Sequence, residues 1–273
     1  MNNIKNSMHK ISFTLLVIII AVFCLFPFFW MFFNAFKPAI DIRAYPPVWT
    51  FKPTLNNFIK VFIEQPFFNY FMNSMIIATF STIIGVLLSL PAAYSIARYK
   101  QGFISLILLT ARMLPGMVYL IPLFIIYNRL GLIDTYLSLI ITYLIISVPL
   151  STWLLIPYFE DIPSDLECAG MIDGCSKIGV FFRINLPLAL PGIAVVTILS
   201  FVYCWNDFIF VLILGGVKTQ TLPLAAYHFM TYGSMNWGSI FAAATIITLP
   251  IAIISLFLQR YLISGLTSGG LKD

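Results

Sequence analysis

Long apolar runs closed by short polar stretches set the pattern of this chain. A bilayer-spanning helix needs about 20 predominantly apolar residues, and such runs fall at about 11–33, 72–96, 103–127, 136–159, 188–214 and 239–262. None of them alternates with the period of two that a barrel strand would show. In lipid every backbone amide and carbonyl must be bonded within its own segment, so the runs are predicted to be helices. The expected fold class is all-α integral membrane, with six transmembrane helices. Between the runs lie a long loop at about 34–71, a shorter one at about 215–238, and a polar segment at about 160–187.

Composition agrees with the pattern. The chain has 273 residues, 60% hydrophobic and 9% charged, with a mean hydropathy of +0.98. Soluble domains carry about a quarter charged residues, so this chain lacks the polar surface that water requires. Its net charge of +5 is spread along the sequence, with no basic run interleaved with aromatics, which excludes a nucleic-acid binder. The opening MNNIKNSMHK is followed by an apolar run too long for a signal peptide and lacking a small-residue cleavage site, so it reads as a retained first span. Cys24, Cys168, Cys175 and Cys204 form no C-x-x-C pair and have no clustered His partners, so no metal site is expected.

Six spans put both termini on one side. With the termini inside, Lys5, Lys10, Arg98, Lys100, Lys177, Arg183, Arg260 and Lys272 lie inside, most of them close to span ends. Lys37, Arg43, Lys52, Lys60, Arg129 and Lys218 then lie outside, mainly in the long loop, which favours cytoplasmic termini by the positive-inside rule. The segment 160–187 would then face the cytoplasm.

That segment concentrates helix punctuation. Ser164-Asp165-Leu166-Glu167 reads as a capping box, in which the Ser hydroxyl and the Glu carboxylate each satisfy the other's free amide. A short helix is predicted from Asp165 to Ile172, stopped at Gly174 in the left-handed region. A second begins near Cys175 or Ser176 and sets Ile178, Phe181 and Phe182 on one face. Pro187 and Pro191 open the next span. Ala169 and Gly170 are small enough to let another backbone approach. Two readings stand on spacing alone: a docking element for a partner, or an interfacial loop packed on its own bundle.

The string L-E-C-A-G-M-I-D-G-C-S, continued by F-F-R-I-N-L-P-L-A-L-P, resembles the EAA signature of permeases of binding-protein-dependent ABC importers. Asp173, Gly174, Phe182, Leu186, Pro187, Leu188 and Pro191 fall on that pattern. Cys168 stands where the family carries its signature Glu, and Glu167 fills the preceding position, also often acidic in relatives. Further motifs resemble the carbohydrate-type, maltose/glycerol-phosphate permeases. They are F-P-F-F-W-M with F-K-P, P-x-x-W, L-x-N-F, I-P-L-F, L-G-L-I-D-T-Y, W-N-D-F, T-L-P, W-G and the C-terminal Q-R-Y-L-I-S-G-L-T-S-G-G-L-K.

The resemblance implies a type I ABC importer permease (EAA-loop) fold. It divides the chain into a first helix and extracytoplasmic loop (1–71), a five-helix core (72–265) carrying the coupling loop at 160–187, and a cytoplasmic tail (266–273). It implies ATPase coupling through Glu167, Cys168, Ala169, Gly170, Asp173, Gly174, Phe181, Phe182 and Pro187. The implied partners are a second related permease subunit as a heterodimer, two ATPase subunits and an extracytoplasmic solute-binding protein, in a bacterial or archaeal cell membrane. The solute would be a sugar, oligosaccharide, polyol or related compound.

No G-x-x-x-x-G-K-[ST] occurs, and no Gly precedes a Lys anywhere, so phosphates cannot be cradled here. ATP and Mg belong to the partner ATPase, and no cofactor is expected on this chain, which is not itself an enzyme. Arg112 and Asp207 fall within predicted spans, where a charge costs about 2.5–3.5 kcal/mol and usually faces a cavity or a polar partner. Trp205, Asn206 and Asp207 are candidates for the translocation path. For Asp207 and Arg112 a structural polar contact is the competing reading. A self-sufficient secondary transporter or channel is the rival function, although no internal repeat of the kind that marks one is visible.

Overall fold

A computed structural model of the chain describes residues 2–64, 66–231 and 236–268, with side chains described over 10–63, 66–228 and 236–257. The helices in chain order are α1 (Asn2–Ala35), α2 (Ala39–Ile42), α3 (Asn56–Glu64), α4 (Phe67–Arg98), α5 (Gly102–Met113), α6 (Met117–Arg129) and α7 (Tyr136–Glu160). They continue with α8 (Ser164–Ile172), α9 (Lys177–Val180), a π-helical turn (Phe181–Asn185), α10 (Leu186–Leu188), α11 (Leu190–Asn206), α12 (Ile209–Leu214), α13 (Leu222–Thr231) and α14 (Trp237–Ser268). No strand occurs among the described residues. Among the described residues four helices are long and apolar enough to cross a bilayer, and two bent pairs raise the number to six if each pair is one crossing. The chain forms two compact units, residues 1–67 with 226–248 and residues 68–225 with 249–273.

Both bends fall beside Pro115 and Pro191, two of the prolines in or near the expected spans that imply kinked helices. In the expected 103–127 span, α5 and α6 meet at 89°. Pro115 explains the break: it offers no amide and drives the preceding residue out of the helical region, and Leu114 accordingly sits at φ −70, ψ 127. In the expected 188–214 span, α11 ends at Asn206. Asp207 is extended (φ −65, ψ 134), and its Oδ1 accepts from the Phe210 amide at 3.0 Å, capping α12. The run from Lys177 to Leu188 and α11 are themselves bent by 75°.

In the first unit, α1 exposes apolar side chains along its length, from Ile11 to Phe32. The motifs read after it fold into one structure. The Lys37 ammonium lies 4.9 Å from the Trp30 ring, 4.8 Å from Phe33 and 5.5 Å from Phe51, a cation–π cage. Burial lowers the Lys37 pKa from its ordinary value, opposed by the charge of Asp41. Asn57 Nδ2 donates to the Ala35 and Lys37 carbonyls at 2.8 and 2.7 Å, pinning the chain as it leaves α1.

In the second unit, helices pack through small residues and buried hydroxyls, as membrane helices do where lipid tails leave no hydrophobic drive between them. Ser151 and Ser200 are 2.9 Å apart between α7 and α11, and Ser89 Oγ donates to the carbonyls of Gly85 (2.7 Å) and Val148 (3.2 Å). Gly192 is a close approach: a Cβ there would lie 2.4–2.7 Å from the Tyr158 ring atoms. Because the atoms met include Tyr158 Cγ, close to the backbone and not at a flexible tip, Gly192→Ala is expected to cost about 1–3 kcal/mol. A lowered melting temperature of the purified protein in detergent checks this, and an unchanged one would refute the close contact.

Candidate functional site

The segment 160–187 forms two short helices as its punctuation implies. Helix α8 spans Ser164–Ile172 and ends in a Schellman motif. The Cys175 amide donates to the Gly170 carbonyl at 2.9 Å and the Gly174 amide to the Met171 carbonyl at 3.1 Å, with Gly174 at φ +90. Ser176 then caps α9, its Oγ accepting from the Gly179 amide at 3.1 Å. The following turn is π-helical, and it buries Asn185 completely. Such insertions in a helix concentrate at functional sites.

The start of α8 corrects the capping-box reading. Pro163 is the N-cap residue, and no side chain caps the helix. Glu167 has instead been drawn to α4. Arg98 Nε donates to its Oε1 at 2.5 Å, and the Tyr94 hydroxyl donates to its Oε2 at 3.3 Å. A part-buried guanidinium is the stronger partner for a carboxylate than a single backbone amide, because both partners are charged.

The two faces of α8 therefore differ. Glu167 and Gly170, three residues apart, turn inward. A Cβ at Gly170 would fall 2.4 Å from Ile184 Cδ1, so this small residue admits the chain's own π-helical turn and not a foreign backbone. Leu166, Ala169 and Ile172 share the outward face at the same spacing, Ile172 being 85% exposed. Cys168, Asp173 and Gly174 are exposed as well. The expected common face of Ile178, Phe181 and Phe182 divides. Ile178 (71% exposed) and Phe182 (59%) point outward, whereas Phe181 is half-buried with ring centroids 5.1 Å from Tyr94 and 6.3 Å from Phe159. Pro187 is exposed in α10. The result is an apolar ridge with charges at its margins, presented on a short rigid helix.

The three consecutive residues expected on the translocation path, at the end of α11, have different surroundings. Trp205 is buried, stacked on Phe201 at 5.5 Å and edge-on to Phe71 at 6.1 Å. Asn206 is exposed and donates to the Val202 carbonyl at 3.0 Å. Asp207 accepts from the Tyr143 hydroxyl at 3.1 Å as well as capping α12, so its contacts are those of a structural polar group. Arg112 is exposed, with its guanidinium 5.3 Å from the centroid of the Trp153 ring.

A polar knot that no motif in the sequence signals lies at the other ends of α4 and α7. The Asp134 carboxylate accepts from the amides of Lys218 (3.1 Å) and Thr219 (3.0 Å) and from the Thr219 hydroxyl (2.9 Å). Asn73 Nδ2 donates to the carbonyls of Lys218 (2.9 Å) and Gln220 (2.8 Å), and Tyr136 donates to Asn73 Oδ1 at 2.6 Å. L-G-L-I-D-T-Y and T-L-P, noticed separately in the sequence, thus flank one junction. No linear spacing joins residues so far apart in the chain.

Residues 85–268 match the family model described as "Binding-protein-dependent transport system inner membrane component". The chain belongs to that family. It is 36% identical to the sulfoquinovosyl glycerol transport system permease protein SmoH of Agrobacterium fabrum, over 91% of this chain and 89% of the relative. It is also 36% identical to the trehalose/maltose transport system permease protein MalG of Thermococcus litoralis, covering 93% and 94%. Among solved structures, a chain of a bacterial ABC transporter that imports the acidic polysaccharide alginate superposes with a TM-score of 0.74, covering 94% of this chain and 98% of that one. At 19% identity this likeness establishes the fold alone. The chain is accordingly an all-α, multi-pass permease subunit of a binding-protein-dependent ABC importer, and the rival reading as a self-sufficient carrier falls.

Proposed function

We propose that this chain is one half of a heterodimeric permease pair that carries a sugar or sugar derivative into a bacterial or archaeal cell. The α8–α9 loop docks into a groove on a separate ATPase subunit that holds ATP and Mg. The observation that carries the docking reading is the outward ridge of Leu166, Ala169, Ile172, Ile178 and Phe182. Exposed apolar residues at helical spacing, on an element capped at its far end by its own hydrogen bonds, suit insertion into an apolar groove. Glu167, Gly170 and Phe181 support that ridge from beneath, while Cys168, Ala169, Asp173, Gly174, Phe182 and Pro187 face outward. The solute class rests on the relatives, whose names specify sulfoquinovosyl glycerol and trehalose/maltose.

In this reading residues 1–71 hold the first helix and an extracytoplasmic loop, and 72–265 the core. Residues 266–273 form a cytoplasmic tail, of which 269–273 lie outside the described residues. The Asp134 junction lies on the side that receives a solute-binding protein. Asp207 and Asn206 stand near the path as supports, with Trp205 behind them.

The test is solute uptake by proteoliposomes holding the permease pair and its ATPase. Uptake is expected only with ATP inside and a sugar-loaded binding protein outside, and uptake that persists without the ATPase would defeat the proposal. Orientation has its own check. A lone cysteine at position 177 in a cysteine-free chain is expected to resist an impermeant thiol reagent in sealed cells and to react after lysis. Labelling in sealed cells would reverse the assignment.

A further inference from the structure

The side chain of Arg98, the last residue of α4, joins three elements. Besides its bond to Glu167 of α8, its Nη2 donates to the Ile162 carbonyl just beyond α7 at 2.9 Å. Nη2 also lies 3.4 Å from Asn185 Oδ1, in the π-helical turn that leads to α11. The guanidinium is 16% exposed and the Glu167 side chain 13%. Asn185, itself fully buried, is aimed back by its second contact, Nδ2 to the Val180 carbonyl at 3.5 Å. Tyr94, one helical turn before Arg98, closes the group through its hydroxyl on Glu167 and its ring on Phe181.

We propose that Arg98 is the positioning residue that locks the α8–α9 loop to the ends of α4, α7 and α11, so that a push on the loop moves the spans and does not merely bend the loop. This rests on the docking function proposed above. On one flank of Arg98 a cleft of about 610 Å³, lined by Lys100, Gln101, Ser105, Glu160 and Ser164, separates the start of α8 from α5. Side-chain packing does not brace the loop there. Beneath the loop the contacts are apolar, namely Phe181 on Tyr94 and Phe159, and Gly170 on Ile184. Such contacts resist separation but allow sliding. A planar fork of five donors fixed on three acceptors resists both. The same geometry accounts for Glu167 facing inward: it serves as the anchor of this lock and leaves the ATPase to meet the apolar ridge.

Lysine offers a point charge and no fork, so Arg98→Lys is expected to keep the pairing with Glu167 and to lose the carbonyl and the Asn185 contact. The experiment uses the assembled permease–ATPase complex in nanodiscs. It measures ATP turnover with and without solute-loaded binding protein, together with the amount of ATPase retained and the melting temperature.

Arg98→Gln is expected to retain its ATPase and its basal turnover, while stimulation by loaded binding protein falls at least 10-fold. Arg98→Lys is expected to rescue less than half of that stimulation. Glu167→Gln, nearly isosteric and read against its own melting temperature, should lose stimulation to the same degree. The double variant should be no worse than either single one, as for residues acting as one unit. Stimulation within twofold of wild type in both single variants would overturn the lock. So would additive losses, or an ATPase released by Arg98→Gln while what remains is stimulated normally. A wild-type permease that holds no ATPase would instead overturn the docking function beneath the proposal.

Discussion

Ala169→Arg is expected to abolish recovery of the ATPase with the permease while leaving the permease inserted and folded. Ala169 is exposed in the middle of α8, three residues from Leu166 on one side and from Ile172 on the other. A guanidinium there stands in the centre of the apolar ridge. In a helix-in-groove contact it must either hold the two surfaces apart or be buried without a partner. Central interface positions lose at least about 2 kcal/mol on disruption, which is roughly 30-fold in affinity. Gly170 is the instructive control. It faces Ile184 Cδ1, the free end of a flexible side chain, so Gly170→Ala is expected to be nearly silent. Gly170→Arg would wreck the loop's own packing and so say nothing about docking. Co-purification from detergent measures all three variants, and full ATPase recovery with Ala169→Arg would refute the docking face.

The contrast between these neighbours shows what the sequence made legible. Spacing and turn chemistry placed α8, its left-handed stop at Gly174 and, to within a residue, the start of α9, because those signals act over four or five residues. Hydropathy located the spans, because bilayer thickness sets their length. Pro115 itself signalled the bend between α5 and α6, but the break at Asp207 did not show, since an apolar average is blind to direction. The direction of a side chain was equally hidden. Ala169 and Gly170 are alike as small residues, yet one faces outward and the other meets Ile184. Glu167 obeyed the capping-box pattern, and a partner 69 positions earlier in the chain claimed it. Local rules fail where a long-range charge competes, and here that failure marks the lock at Arg98. The Asp134 junction escaped for the same reason, since its partners lie more than 80 positions along the chain.

Asp134→Ala is expected to be among the most damaging single changes outside the docking face. It would leave the Lys218 and Thr219 amides and the Thr219 hydroxyl without their acceptor. Orphaned donors of this kind cost about 1–3 kcal/mol. Asp134 also sits at φ +61, where a left-handed alanine costs about 1–2 kcal/mol more. Asparagine tolerates that conformation and keeps one acceptor oxygen, so Asp134→Asn should retain most of the stability. The two variants also differ from wild type in acid. Burial works to raise the Asp134 pKa, but the Lys218 and Thr219 amides, the Thr219 hydroxyl and the Lys218 charge outweigh it and hold the carboxyl below its ordinary value. A folded-state pKa below the unfolded one gives stability that is complete above the unfolded value and is lost as pH falls through the folded one. Wild type should therefore lose melting temperature as the medium drops below about pH 4, the unperturbed carboxylate value. Asp134→Asn should start lower and lose less over the same interval. Melting curves of the three proteins from pH 7 to pH 3 measure both effects. Parallel acid losses in wild type and Asp134→Asn would show that the junction is held by something other than this carboxylate.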